Sequence, residues 1–166
     1  MMAAGNERDL LLALPDEQLL RLCRVERCRG TGPGGQKRNK TESAVTVTHP
    51  ESGISGSSDE TRSQHSNLRL AVRHLRHALA LNWRAPPPAI WKFPAIPGAR
   101  DPQYPQWLAA VLDVLEAHGG RVSEAAAVCG LSTGRLGRGL AGDPALWQHV
   151  NRRRRELGLP PLRQST

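Results

Sequence analysis

The hydrophobic and polar positions follow two different periods along the chain. In the first third they alternate residue by residue, which predicts short strands at residues 22–28, 44–49 and 54–58. Residues 50–53 separate the last two strands and predict the turn of a hairpin. The alternation therefore predicts a small sheet.

A helical period replaces this alternation over residues 62–83. Apolar residues there return every three or four positions, at Leu68, Val72, Leu75 and Leu79. We expect an amphipathic helix of about five turns, with these four residues in the core and Ser63 as the N-cap. Near the start of the chain, Pro15 is placed to open a helix of about one or two turns as its first residue.

Proline interrupts both periods between residues 84 and 105. Seven prolines in this segment forbid a helix or a central strand and predict an extended linker. Trp91, Phe93 and Tyr104 lie within it and indicate that the linker packs on a surface.

The helical period returns at Gln106 and continues nearly to the end of the chain. A first helix is expected from Gln106 to the glycines at 119–120, which form a C-cap signal. Further helices are predicted at residues 123–130, 133–140 and 144–157, the last of them capped by Asp143.

These elements predict an α+β chain in three parts. Residues 1–83 would form a small sheet with a long packing helix, residues 84–105 a proline-rich linker, and residues 106–166 a small all-helical domain. In the helical domain, Ala126, Gly130 and Leu136 have the spacing of a helix-turn-helix, which makes a nucleic-acid-reading unit one interpretation and a plain helical bundle the other.

The charge distribution adds a class of partner. The net charge is +8, and two blocks carry much of it: residues 21–40 hold seven basic residues against one acidic, and residues 147–166 hold five against one. Such blocks favour contact with a polyphosphate, although solvated surfaces are the alternative.

The composition also excludes several classes of protein. No apolar run approaches the ~20 residues of a membrane helix, so we expect no membrane association. The three cysteines, Cys23, Cys28 and Cys129, make neither a disulfide framework nor a metal-spaced cluster. We therefore expect a cytoplasmic protein with no metal and no cofactor.

The most informative segment is a glycine-rich loop that reads Arg29-Gly-Thr-Gly-Pro-Gly-Gly-Gln36. Four glycines and a proline in eight residues exclude regular structure. A tight connection and a phosphate cradle of backbone N–H groups both explain such a loop. Its spacing fits neither a Walker loop nor a dinucleotide fingerprint.

The residues around this loop resemble a known family. The loop, followed by Asn39-Lys40-Thr41 and Ser43-Ala44-Val45, and a second signature of Arg62-Ser63-Gln64 with Asn67, resemble the catalytic domain of bacterial class I peptide chain release factors. The resemblance covers roughly residues 20–83. Nothing in the chain is long enough for the family's codon-reading domains, so it looks like the short, stand-alone members that act in ribosome rescue.

The resemblance implies an enzyme that hydrolyses the ester of peptidyl-tRNA on the ribosome. Gly34, Gly35 and Gln36 would be catalytic: the glycines let the backbone approach the substrate, and the Gln36 N–H donates to the oxyanion. With Glu42 the nearest acid, a protein general base is not expected.

Other residues would support the loop or bind RNA. Arg62 and Gln64 would brace the loop, although Arg62 also fits a role as a cap on the sheet. The expected RNA-binding residues are Arg29, Lys37, Arg38, Lys40, Arg152, Arg153, Arg154 and Arg155. For the last four, stabilisation of a helix C-terminus is the alternative.

The expected partners are the ribosome, through rRNA of its peptidyl transferase centre, and peptidyl-tRNA, with the chain acting as a monomer. Two other functions remain open from the sequence. One is a ribosome- or RNA-binding factor without hydrolytic activity. The other is a DNA-binding regulator built on the candidate helix-turn-helix.

Overall fold

The computed structural model describes residues 4–28 and 43–163. The chain divides into two compact units. One is Arg8–Asn82, and the other comprises Met1–Glu7 with Trp83–Thr166. A small antiparallel sheet together with helices confirms the predicted α+β class.

The sheet of the first unit has three strands, β1 (Arg24–Cys28), β2 (Ala44–Thr48) and β3 (Ser55–Ser58), in the order β1-β2-β3. Both pairs are antiparallel, with Cys28 opposite Ala44 and Val45 opposite Ser58. All three predicted strands are therefore present, each slightly shorter than the alternating pattern. Alternate residues of β2 face the core, as the period of two requires.

The long predicted helix is α3 (Gln64–Asn82), which packs on β2 and β3. Ser63 accepts a hydrogen bond from the Ser66 N–H at 3.2 Å, which confirms it as the N-cap. The core prediction was wrong for Leu68, which is half-buried. Asn67 is buried instead, because its side chain binds the backbone beside the sheet.

Gly56 sets how closely α3 approaches β3. A Cβ at this position would lie 2.1 Å from the Leu75 nitrogen and 2.4 Å from the Ala71 oxygen. Only glycine therefore allows the backbones of the two elements to come this close.

Two helices precede the sheet. The sequence pattern did not predict α1 (Ala4–Ala13), while α2 (Asp16–Arg21) lies where a short helix was expected. Pro15 occupies the N-cap of α2 and not its first helical position, since its ψ of 152° is extended. Arg76 donates to the backbone oxygens of Leu11, Leu12 and Leu14, at the end of α1.

Residues 83–103 of the second unit contain neither helix nor strand. In this stretch the Trp91 indole N–H donates to the Phe93 oxygen at 2.9 Å, and the two rings meet edge to face. The expectation of no helix was wrong for residues 104–105, because α4 begins at Tyr104 and Pro105 lies in its first turn, where a proline is tolerated. The description of residues 84–105 as a linker stays a prediction.

Four helices follow, all of them predicted: α4 (Tyr104–Ala117), α5 (Val122–Val128), α6 (Thr133–Ala141) and α7 (Pro144–Glu156). Asp143 accepts from the N–H groups of Ala145 and Leu146 and so caps α7 as expected. The buried ring of Trp107 stacks on Tyr104 within α4, and the Tyr104 hydroxyl donates to Asp143 at 2.9 Å. Among the described residues, no helix has the length and apolarity to cross a bilayer.

The turn between α5 and α6 has the features that the helix-turn-helix spacing requires. Gly130 has a φ of +64°, and Ala126 and Leu136 are buried on either side of it. A role for this pair of helices in reading nucleic acid stays a prediction.

Candidate functional site

The predicted catalytic and RNA-binding loop lies outside the described residues. Its members there are Arg29, Gly34, Gly35, Gln36, Lys37, Arg38 and Lys40. The structure does describe the two residues that bound it on the sheet. Cys28 and Ala44 are paired across β1 and β2, so the loop leaves and rejoins the sheet at one end.

Asn67 ties this end of the sheet to α3. Its side-chain amide donates to the backbone oxygen of Ser43 at 2.6 Å and to that of Thr61 at 2.8 Å. Its oxygen accepts from the Thr61 N–H at 2.9 Å and from the Thr61 hydroxyl at 3.0 Å. The amide is fully buried, so its donors and acceptor are satisfied inside the protein.

Through Asn67, Ser43, the first described residue after the glycine-rich loop, is fixed to the start of the long helix. The second signature contains Asn67, but the pattern alone did not indicate this role. One signal was present: Asn67 stands four residues before the buried Ala71, so an amide occupies a core position of the helix.

Arg62 and Gln64, the two residues expected to brace the loop, flank the N-cap of α3. Both side chains are exposed, and they lie within five residues of Asn67. Because the loop is outside the described residues, the bracing role stays a prediction.

The four consecutive arginines of α7 do not share one environment. Arg152 and Arg155 are exposed. Arg153 forms ion pairs with Glu116 of α4 and with Glu156. These four residues therefore do not form a single cationic surface.

Arg154 differs most from the prediction. It is 9% exposed, and its guanidinium donates to the backbone oxygens of Gly120 and Pro160. A cation held in this way supports the fold and does not reach a phosphate. The prediction of RNA contact is therefore corrected at Arg154, and for Arg152, Arg153 and Arg155 it stays a prediction.

Two ionisable side chains next to these arginines have shifted pKa values. The hydrogen bond from Arg153 lowers the pKa of Glu116. Burial, followed by the charges of Arg84 and Arg152, lowers the pKa of His149. The Arg152 guanidinium lies 3.2 Å from His149 Nδ1, a contact that suits a neutral ring accepting a hydrogen bond.

The thiols of Cys23 and Cys129 are protonated at neutral pH. Burial raises the pKa of Cys23 and raises that of Cys129 to about 11. Neither is therefore a ready nucleophile. Within residues 4–28 and 43–163, no three His, Cys, Asp or Glu side chains gather as metal ligands would.

Comparison with known proteins identifies the region around the loop. Residues 18–86 match the model of the RF-1 domain family. A peptide chain release factor homolog of Escherichia coli is 58% identical over 48 residues, which are 29% of this chain and 24% of that protein.

Two further relatives match this chain over segments of similar length. Peptide chain release factor 2 of Borreliella burgdorferi is 48% identical over 56 residues, 34% of this chain and 16% of the relative. Peptide chain release factor 1 of Gluconobacter oxydans is 48% identical over 62 residues, 37% of this chain and 18% of the relative. The chain thus matches a quarter or less of the length of these proteins.

Proposed function

We propose, from the match of residues 18–86 to the RF-1 domain family, that the chain hydrolyses peptidyl-tRNA on stalled ribosomes without reading a codon. The observation that carries the proposal is the Gly34-Gly35-Gln36 tripeptide inside the matched domain. Its partners would be rRNA of the peptidyl transferase centre and peptidyl-tRNA, with the chain acting as a monomer in the cytoplasm.

The reaction needs positioning more than side-chain chemistry. Water adds to the carbonyl carbon of the ester, and the carbonyl oxygen becomes an oxyanion. The bond to the tRNA 3′ oxygen then breaks, the peptide leaves as an acid, and the tRNA oxygen takes up the proton. A backbone N–H directed at the oxyanion lowers the barrier without any change in protein charge.

The residues of the loop suit this task. Gly34 and Gly35 have no Cβ, so the main chain can lie against the terminal adenosine of the tRNA. The Gln36 N–H would donate to the oxyanion, and its neutral amide would orient the water. Because the loop holds no His, Asp or Glu, proton transfer is left to the substrate and the ribosomal RNA.

The described residues support delivery of the loop by a fixed base. The Cys28–Ala44 pair joins its two ends to the sheet, and Asn67 holds Ser43 to α3. Binding without a codon is supported by cations outside the RF-1 domain. Arg152 and Arg155 are exposed on α7, where they suit contact with RNA phosphates.

Release of labelled peptide from ribosomes stalled on truncated mRNA tests the proposal. Gly35→Ala adds a Cβ that displaces the main chain, and with it the Gln36 N–H, from the oxyanion, so the release rate should fall by about 10²- to 10³-fold. Gln36→Ala keeps that N–H and loses only the amide that would orient the water, so it should lower the release rate by a smaller factor. Gln148→Ala, the same amide removal at an exposed site on α7, should release like the wild type. Equal release by all four proteins contradicts the proposal.

A second arm tests codon independence. Ribosomes with a stop codon in the vacant site and ribosomes with truncated mRNA are compared at the same protein concentration. Release that requires the stop codon contradicts the rescue assignment. Wild-type binding without release in either arm would instead support an RNA-binding factor with no hydrolytic activity.

A further inference from the structure

The second unit contains a groove that the release reaction does not use. It measures about 500 Å³ and lies between one face of α6, Trp147 of α7 and residues 162–163. This volume is within the range of sites that hold a small molecule or a single unit of a polymer.

The floor of the groove is bare backbone. Gly134 and Gly137 line it, and a Cβ at Gly137 would meet nothing within 4 Å. Gly139 on the same helix differs, because a Cβ there would lie 2.6 Å from the Ile96 side chain. Packing thus explains Gly139 but not the other two, each of which costs the helix up to ~1 kcal/mol relative to alanine.

The walls of the groove are cationic. Arg138 and Arg163 line it and are exposed, and none of its described lining residues is acidic. The guanidinium of Arg138 lies 3.7 Å from the position that a Cβ on Gly134 would take, so the charge sits over the glycine floor. The groove therefore has the electrostatic character that attracts a phosphate backbone.

The acidic side chains of residues 83–163 have partners outside the groove lining. Their recorded partners are Arg84 for Asp113, Arg153 for Glu116 and Glu156, Arg121 for Glu124, the Gln103 N–H for Asp101 and Tyr104 for Asp143. None of the described residues that line the groove supplies a negative charge to offset Arg138 and Arg163.

The third component is an aromatic ring on a fixed wall. Trp147 is half-buried and faces the groove. The opposing C-terminal segment is held to α7, because the Leu162 N–H donates to Asn151 at 2.6 Å and Arg154 donates to the Pro160 oxygen. Both sides of the groove are therefore in place before a ligand arrives.

We propose that this groove binds single-stranded RNA, with a base on the Trp147 ring and its flanking phosphates on Arg138 and Arg163. A cationic groove that contains an aromatic ring is the usual means of holding an unpaired strand. The choice of RNA over single-stranded DNA rests on the proposed function, which brings the protein to the ribosome.

The same groove argues against reading of duplex DNA by α6. A recognition helix discriminates base edges through its side chains. On the groove side of α6, Gly134 and Gly137 have no side chain, and Thr133 and Arg138 lie beside them. A bare helix face suits the close approach of a sugar–phosphate backbone.

Quenching of tryptophan fluorescence in the full chain by a short oligouridylate tests the proposal. A base stacked on Trp147 should quench the emission, and Trp147→Phe should lose that quenching because Trp83, Trp91 and Trp107 lie outside the groove lining. A wild-type signal that does not change, or that survives in Trp147→Phe, overturns the proposal.

Filling the groove provides a variant that keeps the fold. Gly137→Leu places a side chain in open space and improves helix propensity, so its melting temperature should equal or exceed that of the wild type. Its affinity for oligouridylate should fall by about tenfold or more, the cost of one lost stacked base. Wild-type affinity in Gly137→Leu overturns the proposal.

Charge is tested with a matched control. Arg138→Gln and Arg163→Gln should each weaken binding, whereas Arg100→Gln, which removes an exposed arginine outside the groove, should not. Equal weakening by all three overturns the proposal. Competition by duplex DNA stronger than that by oligouridylate also overturns it, in favour of a DNA-binding regulator.

The quenching assay uses no ribosomes and does not depend on Gln36. If the protein binds oligouridylate as expected but does not release peptide, the proposed function is contradicted and the RNA-binding groove is supported. If it releases peptide but does not bind oligouridylate in this way, the groove proposal is contradicted and the proposed hydrolase activity is supported.

Discussion

Asn67 is the residue that connects the described end of the glycine-rich segment to the rest of the fold. A buried amide with its hydrogen bonds satisfied is stable, but the same site becomes costly when one partner is lost. Ser43 and Thr61 both direct backbone oxygens at the Asn67 amide. Removing its two donors would take this partner from the buried Ser43 oxygen and from the part-buried Thr61 oxygen.

Asn67→Asp should therefore lower the free energy of unfolding by about 3 kcal/mol or more, because a carboxyl group replaces the donors and faces two carbonyls. Asn82→Asp, the same change at the exposed end of α3, should cost less than about 1 kcal/mol. Urea unfolding of both variants measures the difference. Equal stabilities would contradict the role given to Asn67.

At the scale of elements, the contact between β3 and α3 depends on Gly56. Gly56→Ala places a methyl group 2.1 Å from the Leu75 backbone nitrogen, so the helix has to move away from the sheet. We expect a loss of about 3 kcal/mol or more in the free energy of unfolding. Ser57→Ala, at the exposed neighbouring position of β3, should change it by less than about 0.5 kcal/mol.

Urea unfolding distinguishes the two variants. If Gly56→Ala unfolds at the wild-type denaturant concentration, the two elements are not in the close contact described. If Ser57→Ala lowers the free energy of unfolding as much as Gly56→Ala does, the whole strand is sensitive to substitution and the glycine has no special role.

His149 on α7 makes the stability of the second unit depend on pH. Burial and the nearby arginines lower the pKa of His149, so the unfolded chain binds a proton at higher pH than the folded protein does. This contribution to stability is complete above the unfolded pKa of about 6.5 and is lost as the pH falls below it.

His149→Gln should therefore reduce the fall in unfolding free energy between about pH 7.5 and pH 5.5. Urea unfolding of wild type and variant at several pH values measures it. The Glu116–Arg153 pair affects stability at lower pH than His149 does. Because the pKa of Glu116 is lowered, the stabilisation by this pair is lost only in acid. If the unfolding free energy of His149→Gln falls with pH as steeply as that of the wild type, His149 is not the source of this pH dependence.

How far the sequence predicts the fold depends on whether a residue's role is local. Valines 45 and 47 alternate and Leu75 and Leu79 recur at helical spacing, so the sheet and α3 follow from period alone. The helix α1 could not be predicted in this way, because its leucines are consecutive and do not repeat at helical spacing. Leu11 and Leu12 are buried, whereas Leu10 is 51% exposed.

The site residues divide in the same way. The motif indicates Gly34, Gly35 and Gln36 without any structure. The role of Asn67 depends on Ser43, which is 24 residues away, and that pairing is a tertiary contact. A run of four arginines likewise gives no sign of which one turns inward, so the burial of Arg154 was not predictable from composition.

At the scale of the whole molecule, the arginines of the C-terminal basic block differ in how far their charge is available to a partner. Of the four arginines on α7, Arg153 is neutralised by two glutamates, and Arg154 is enclosed by backbone oxygens. Arg152 and Arg155 remain exposed. If the protein is held on the ribosome by phosphate contacts, its affinity has to depend steeply on salt, and these two residues have to contribute to the slope.

Ribosome affinity measured across a series of salt concentrations tests this distribution. Arg152→Gln and Arg155→Gln should each reduce the slope of log affinity against log salt by about 1, since each removes one phosphate contact. Arg100→Gln, another exposed arginine of the same unit, should leave the slope unchanged. Because a general effect of net charge would lower all three alike, equal slopes in the three variants would show that α7 does not contact RNA, and the helical unit would then need a different anchor.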